Sequence, residues 1–193
     1  ADKAEQWAVL SPYTLDLAKL AYIGQPGSGR WSTEPVKGAV FTLTETTDGT
    51  GNTAKPDAAV KTVATDANGA AHLLDGTIGA TGTRWFKLVE TKAPTSYEVP
   101  GSGTYWMVKV AGGADRVAVT VTGSNADAVA LLKGLDGSTV TVGDQLVPGA
   151  AMPMTGGRYD VARAGALTGL VTLVLLAAGC WNLRRRDADP RRK

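Results

Sequence analysis

Twenty consecutive uncharged residues, 164–183 (AGALTGLVTLVLLAAGCWNL), divide this 193-residue chain into two unlike parts. As an α-helix rising 1.5 Å per residue, such a run reaches about 30 Å, the thickness of a hydrocarbon core. Arg184, Arg185 and Arg186 follow directly, and the chain closes on DADPRRK. Basic residues flanking a span mark its cytoplasmic side, so the run reads outside to inside with a short cytoplasmic tail. A buried core helix is the other reading. Core helices, however, are usually amphipathic and seldom stand immediately before an arginine cluster. Cys180 sits inside the run as a small apolar filler, or more weakly as a lipidation site. It is the only Cys, so an intramolecular disulfide is excluded. The chain starts on Ala1 rather than Met, as a processed start would, and shows no signal peptide of its own.

Charge follows the same division. The whole chain carries +2 with a pI near 8.7. Residues 156–193 hold eight Lys+Arg and three Asp+Glu, a net of +5, which leaves −3 for residues 1–155. The basicity therefore belongs to the tail. Nucleic-acid binding needs a basic patch with an aromatic platform, and Lys and Arg are only scattered through the first 155 residues.

Ahead of the run the pattern changes to short alternations of apolar and polar residues between Gly, Asp and Asn turns. The alternation predicts strands over 13–20, 39–45, 59–65, 71–74, 84–90, 104–110, 117–122, 128–133 and 138–143. Regular short strands of this kind predict an all-β sandwich or barrel. Residues 25–36 read as a Gly/Ser/Pro-rich loop and 46–56 as a polar loop, with at most a turn of helix near the N-terminus. Trp7, Trp31, Trp85 and Trp106 are core anchors or interface residues. Trp31, inside the Gly/Ser-rich loop, is the best candidate for an exposed contact.

Enzyme chemistry finds little purchase. There is no GxSxG and no CxxC, and the single His, His72, has no Ser-His-Asp context. His72 reads as a half-buried strand residue. The strings GSG at 27–29 and 101–103 are loop punctuation, because no P-loop Lys follows them. Asp48, Asp66 and Asp75 read as turn residues without EF-hand spacing. No cofactor and no metal site is expected, and no enzymatic activity.

Just before the uncharged run stand Met152, Pro153, Met154, Thr155, Gly156 and Gly157. This string resembles the LPxTG sorting signal of Gram-positive surface proteins, with Met152 in place of Leu. The order of motif, apolar span and basic tail is that of the family. The resemblance implies that a sortase cleaves between Thr155 and Gly156 and passes the Thr155 carbonyl to an amine. Membrane insertion is then transient, and residues 158–193 are removed as a retention signal.

A second resemblance covers most of residues 10–148. The string GAVFTL at 38–43 resembles the GAxFxL strand of collagen-adhesin B-type (CnaB) and SpaA-type pilin domains. TDANG at 65–69 matches their TDxxG turn. WFKLVETKAPTSY at 85–97 is similar to their YxLxETKAPxGY stretch, with Ser96 where the family has Gly. The resemblance implies an immunoglobulin-like, CnaB-type β-sandwich over 1–148, a linker with the sorting motif over 149–157, and a transmembrane helix with basic tail over 158–193.

Many such domains carry an intramolecular isopeptide bond between a first-strand Lys and a last-strand Asn or Asp, assisted by a Glu. Side chains two apart in a strand share a face. Tyr13, Leu15, Leu17 and Lys19 therefore form one row, Phe86, Leu88 and Glu90 a second, and Val140, Val142 and Asp144 a third. Each ionisable residue continues an apolar row. Burial lowers an amine's pKa and raises that of a carboxyl, which suits Lys19 as nucleophile, Asp144 as electrophile and Glu90 as proton relay. Asn125 is a rival electrophile, although its GSNAD setting reads as a turn. A salt bridge among Lys19, Glu90 and Asp144, or a Lys19 that snorkels at the strand end, is the plainer alternative.

The resemblance further implies a surface protein covalently attached to the Gram-positive cell wall. Its partners are a sortase, a peptidoglycan precursor and other pilin subunits. One domain without a YPK motif fits a minor or basal pilin, whereas a stand-alone wall-anchored adhesin is the alternative. A basal subunit needs a surface Lys to accept the preceding pilin. Lys133 is the first candidate because a turn is expected after it, and Lys109 is the rival. Either also reads as an ordinary solvated Lys.

Overall fold

The structure, a computed structural model, describes residues 10–114 and 116–149. Two β-sheets face each other across one apolar core. The first sheet contains β1 (Leu10–Ile23), β2 (Arg30–Pro35), β5 (Ala70–Gly79), β7 (Tyr97–Glu98), β10 (Leu132–Asp136) and β11 (Thr139–Leu146). The second has the order β4-β3-β6-β8-β9, from β3 (Val40–Thr46), β4 (Val60–Ala64), β6 (Thr83–Lys92), β8 (Trp106–Ala111) and β9 (Ala118–Gly123). A single short helix among the described residues, α1 (Ala126–Ala130), links β9 to β10.

The core follows from alternation. Tyr13, Leu15, Leu17 and Ala21 of β1 point inward, as do Phe41 and Leu43 of β3, Phe86 and Leu88 of β6, and Val140 and Val142 of β11. Trp106, Val108 and Val110 of β8 complete the floor. Trp106 is fully buried, and its indole N–H donates to the Ala128 carbonyl at 2.8 Å, so its one polar atom is satisfied.

The central feature is the parallel pairing of the first and last strands, β1 and β11, in the register Lys19↔Val142 and Ala21↔Asp144. On its other side β1 pairs antiparallel with β5 along residues 10–18 and with β2 at its far end. The turn at 65–69 fixes this junction. Thr65 Oγ1 accepts from the Ala39 N–H at 3.0 Å and donates to the Val36 carbonyl at 2.6 Å. Asp66 Oδ1 accepts from the Asn68 and Ala70 N–H groups. Gly69, at φ +70°, approaches so closely that a Cβ there would lie 2.4 Å from the Lys19 carbonyl oxygen.

Several elements differ from expectation. The loop expected over 25–36 contains β2, which pairs with β1, and Trp31 packs edge-on to Tyr22 at 5.3 Å instead of standing free. The strand expected over 128–133 is α1 followed by β10. Asn125 caps that helix, its Oδ1 accepting from the Ala128 N–H at 2.8 Å. Asp75 lies within β5 and not in a turn. Among the described residues no helix is long and apolar enough to cross a membrane. The 164–183 run, the sorting-like motif and the N-terminal turn of helix lie outside the described residues.

Candidate functional site

β1, β6 and β11 deliver three ionisable side chains to one point between the sheets. The register places Lys19 and Asp144 on the inner face of the first sheet, while Glu90 reaches in from the second, beside Phe41. Lys19 Nζ donates to Glu90 Oε2 at 2.6 Å and to the Gly143 carbonyl at 2.7 Å, and lies 3.7 Å from Asp144 Oδ1. All three side chains are 0 % exposed. Apolar rings complete the enclosure, with Lys19 Nζ 5.1 Å from the Phe41 ring centre and 5.8 Å from that of Trp106.

The electrostatics of this cluster are unbalanced. One cation faces two carboxyls, and burying an ion costs several kcal/mol even after relaxation. Burial drives the Glu90 pKa up from 4.5 to about 8; the Lys19 charge opposes the rise and the Asp144 charge adds to it. Asp144 is raised from 3.8 to about 6, again by burial against the pull of Lys19. With both carboxylates ionised, Glu90 Oε1 and both Asp144 oxygens have no hydrogen-bond donor. A proton held between the two carboxyls supplies one. The arrangement thus has a lysine amine against a carboxyl, with a second carboxyl able to carry a proton near neutral pH. Such a cluster can persist as a buried ion pair, or it can condense to an amide with loss of water.

Other candidate residues fall elsewhere. Asn125 is committed to its cap and donates through Nδ2 to Thr104 Oγ1 at 3.1 Å. Lys133 is exposed on β10 at a bulge opposite β11, with Nζ 5.9 Å from the Trp31 ring centre. The turn expected directly after Lys133 comes later, around Gly137, because β10 runs on to Asp136. Lys109 is half-buried on β8, with Nζ 5.1 Å from the Trp85 ring centre. His72 lies on β5 with Nδ1 2.9 Å from Asp16 Oδ1 and Nε2 3.4 Å from Asp75 Oδ2. The two carboxylates flank opposite edges of the ring, so they do not converge on one ion. No group of three or more metal-ligating side chains occurs among the described residues.

Sequence reasoning missed the Gly143 carbonyl and the two rings around Lys19. Phe41 was accessible in principle, because it lies in the GAVFTL strand with its side chain on the inner row. The Gly143 contact depends on inter-strand register, which one sequence does not encode.

No curated protein sequence matches this chain. Among solved structures, the pilus adhesin SpaC from Lactobacillus rhamnosus GG in an open conformation is similar at 18% identity and a TM-score of 0.38. The match covers 73% of this chain and 15% of that one. A C-terminal fragment of the same adhesin matches at 20% identity and a TM-score of 0.33, over 72% of this chain and 47% of the fragment. The chain therefore spans less than half the length of either structure. Residues 30–126, which run from β2 to the start of α1 and include Glu90, match the SpaA prealbumin-like fold domain. That match takes in just over half of the sequence, and the chain belongs to the SpaA prealbumin-like fold domain family.

Proposed function

We propose that this chain is a sortase-processed structural protein of the Gram-positive cell surface, a minor or basal pilin that joins a pilus to the wall. The observation that carries the reading is the fully buried Lys19–Glu90–Asp144 cluster inside a SpaA-family sandwich. An extracellular domain under tension and without disulfides gains from an internal crosslink that reduction does not open. In the proposed step Lys19 gives one proton to the Glu90 carboxylate, 2.6 Å away, and its neutral Nζ attacks Cγ of protonated Asp144. The C–N bond forms and one C–O bond breaks. Glu90 passes the amine proton to the leaving oxygen, which departs as water.

The proposed organisation is a sandwich over 1–148, a linker with the sorting motif over 149–157, and a transmembrane helix with basic tail over 158–193. Support for the sorting step comes from the sequence alone. Met152, Pro153, Met154, Thr155 and Gly156 precede an uncharged span and an arginine run. Thr155 is then the site of attachment to a peptidoglycan precursor. Lys133, the more exposed of the two candidates, receives the preceding pilin, with Lys109 as the alternative.

Mass spectrometry of protein released from the wall tests these points together. The expected product ends at Thr155, is one water lighter than its sequence and carries a branched Lys. A product ending at Thr155 with every Lys unbranched would favour a stand-alone wall-anchored adhesin. A chain retaining its tail would overturn the sorting step.

A further inference from the structure

Beyond Asp144, β11 runs on to Leu146, with Gln145 still paired to Tyr22 of β1. There β7 adds a two-residue strand, with Leu146 opposite Tyr97 and Gln145 opposite Glu98. Paired residues of an antiparallel ladder project to the same face, as do residues two apart. Asp144 and Leu146 share a face, so Tyr97 shares it too and is a diagonal neighbour of Asp144. Tyr97 is half-buried and packs against the core cluster. Its segment is fixed on both flanks, because the Tyr97 N–H donates to the Pro94 carbonyl at 3.1 Å and the Val147 N–H to the Ser96 carbonyl at 2.9 Å. The phenol pKa is raised, first by burial and then by the charges of Asp144 and Glu34, which places the ring in the electrostatic reach of both.

We propose that Tyr97 is a positioning residue for amide formation between Lys19 and Asp144, its ring closing the cluster on the β11 side and excluding water from the Asp144 carboxyl. The inference rests on the crosslink reading above. The groups that set the local charge are Lys19 on β1, Glu90 on β6, Asp144 on β11 and Glu34 on β2. The ring keeps Asp144 dry, and a dry carboxyl holds its proton to higher pH. Condensation needs that proton, because hydroxide is a far poorer leaving group than water. Without the ring, solvent reaches Asp144 and the neutral form becomes scarce at lower pH.

The test compares the full chain with Tyr97→Phe, Tyr97→Ala and Tyr97→Thr. Each is recovered unfolded in denaturant, refolded by dilution and followed by intact mass at several pH values. Tyr97→Phe is expected to crosslink at the wild-type rate. Tyr97→Ala is expected to react about tenfold more slowly at neutral pH, the loss of neutral carboxyl that follows a one-unit fall in pKa. The alkaline limb of its rate profile is expected to move to lower pH, whereas lost packing alone slows the reaction equally at every pH. Tyr97→Thr removes the ring but keeps a strand-favouring residue in β7, and gives the same reading should Tyr97→Ala fail to refold. Ring-deleted variants with the wild-type rate and pH profile would overturn the proposal, as would a Tyr97→Phe chain as slow as they are. A wild-type chain that keeps its full mass would overturn the crosslink and this inference with it. A wild-type chain one water lighter beside an equally fast Tyr97→Thr would overturn this inference alone.

Discussion

Ser96 occupies the third position of the turn at 94–97 with φ at +78°. A type II turn requires positive φ there, which glycine adopts freely and a residue with a Cβ adopts at a cost of about 1 kcal/mol. The related domains place Gly at this point of the motif, and the backbone supplies the reason. Ser96→Gly is therefore expected to raise stability by about 1 kcal/mol, read as a higher urea midpoint at unchanged slope. A lower midpoint would mean that the extra freedom of the unfolded glycine outweighs the relieved strain. The role proposed for Asp144 permits a second test at this scale. Asn in place of Asp144 offers the same carbonyl carbon with nitrogen as the leaving atom. If Lys19 attacks that carbon, Asp144→Asn folds to a chain lighter by one ammonia instead of one water. An Asp144→Ala chain shows no deficit, while Lys19 keeps its 2.6 Å bond to Glu90 as partner. A water deficit that survives Asp144→Ala would place the bond elsewhere.

At the scale of elements, the strands around the cluster were legible and the connection through α1 was not. β1 announces itself because Tyr13, Leu15, Leu17 and Lys19 alternate without interruption, and all four are buried. Its ends were not legible, since residues 10–12 and 21–23 become strand by pairing with β5 and β2 rather than through a local pattern. α1 spans five residues, too few to display a helical period. It is defined by its ends: Asn125 at the N-cap, and the Leu131 N–H bonded to the Asp127 carbonyl at 2.9 Å. Gly123 lets it sit close, since a Cβ there would lie 2.5 Å from the Val129 nitrogen. β2 was hidden for a related reason. Arg30, Ser32 and Glu34 alternate with Trp31, Thr33 and Pro35, and only the packing of Trp31 on Tyr22 marks an inner side. Removing the cap by Asn125→Ala is expected to cost about 1 kcal/mol in thermal or urea unfolding. An unchanged midpoint would mean that Trp106, through its bond to the Ala128 carbonyl, holds the helix without its cap.

At the scale of the whole molecule, the fold holds two sheets together at a point where charge opposes burial. This was partly legible, because three ionisable residues each extended an apolar row. The convergence of those rows was not, because it depends on the parallel pairing of β1 with β11, contacts that are 124 residues apart between Lys19 and Gly143. The consequence is a stability that depends on pH in any form of the chain lacking the crosslink. Lys19→Met prevents the bond and removes the one cation that lowers both carboxyl pKa values. In the folded variant Glu90 and Asp144 therefore sit at or above about 8 and about 6, against 4.5 and 3.8 as ordinary values. Both shifts are upward, so the folded state binds more protons than the unfolded state between these limits. The stabilising term is fully present below about pH 4, where both states are protonated. It decreases as pH rises from there and is lost by the time pH passes the folded value for Glu90, a change on the order of several kcal/mol. Thermal unfolding of Lys19→Met is expected to show a clearly higher midpoint at pH 5 than at pH 8.5. A wild type crosslinked as proposed, with its Asp144 no longer titrating, is expected to change less over the same range. A Lys19→Met midpoint that stays level or rises towards pH 8.5 would show that water reaches the carboxyls. The dry cluster on which amide formation depends would then be absent.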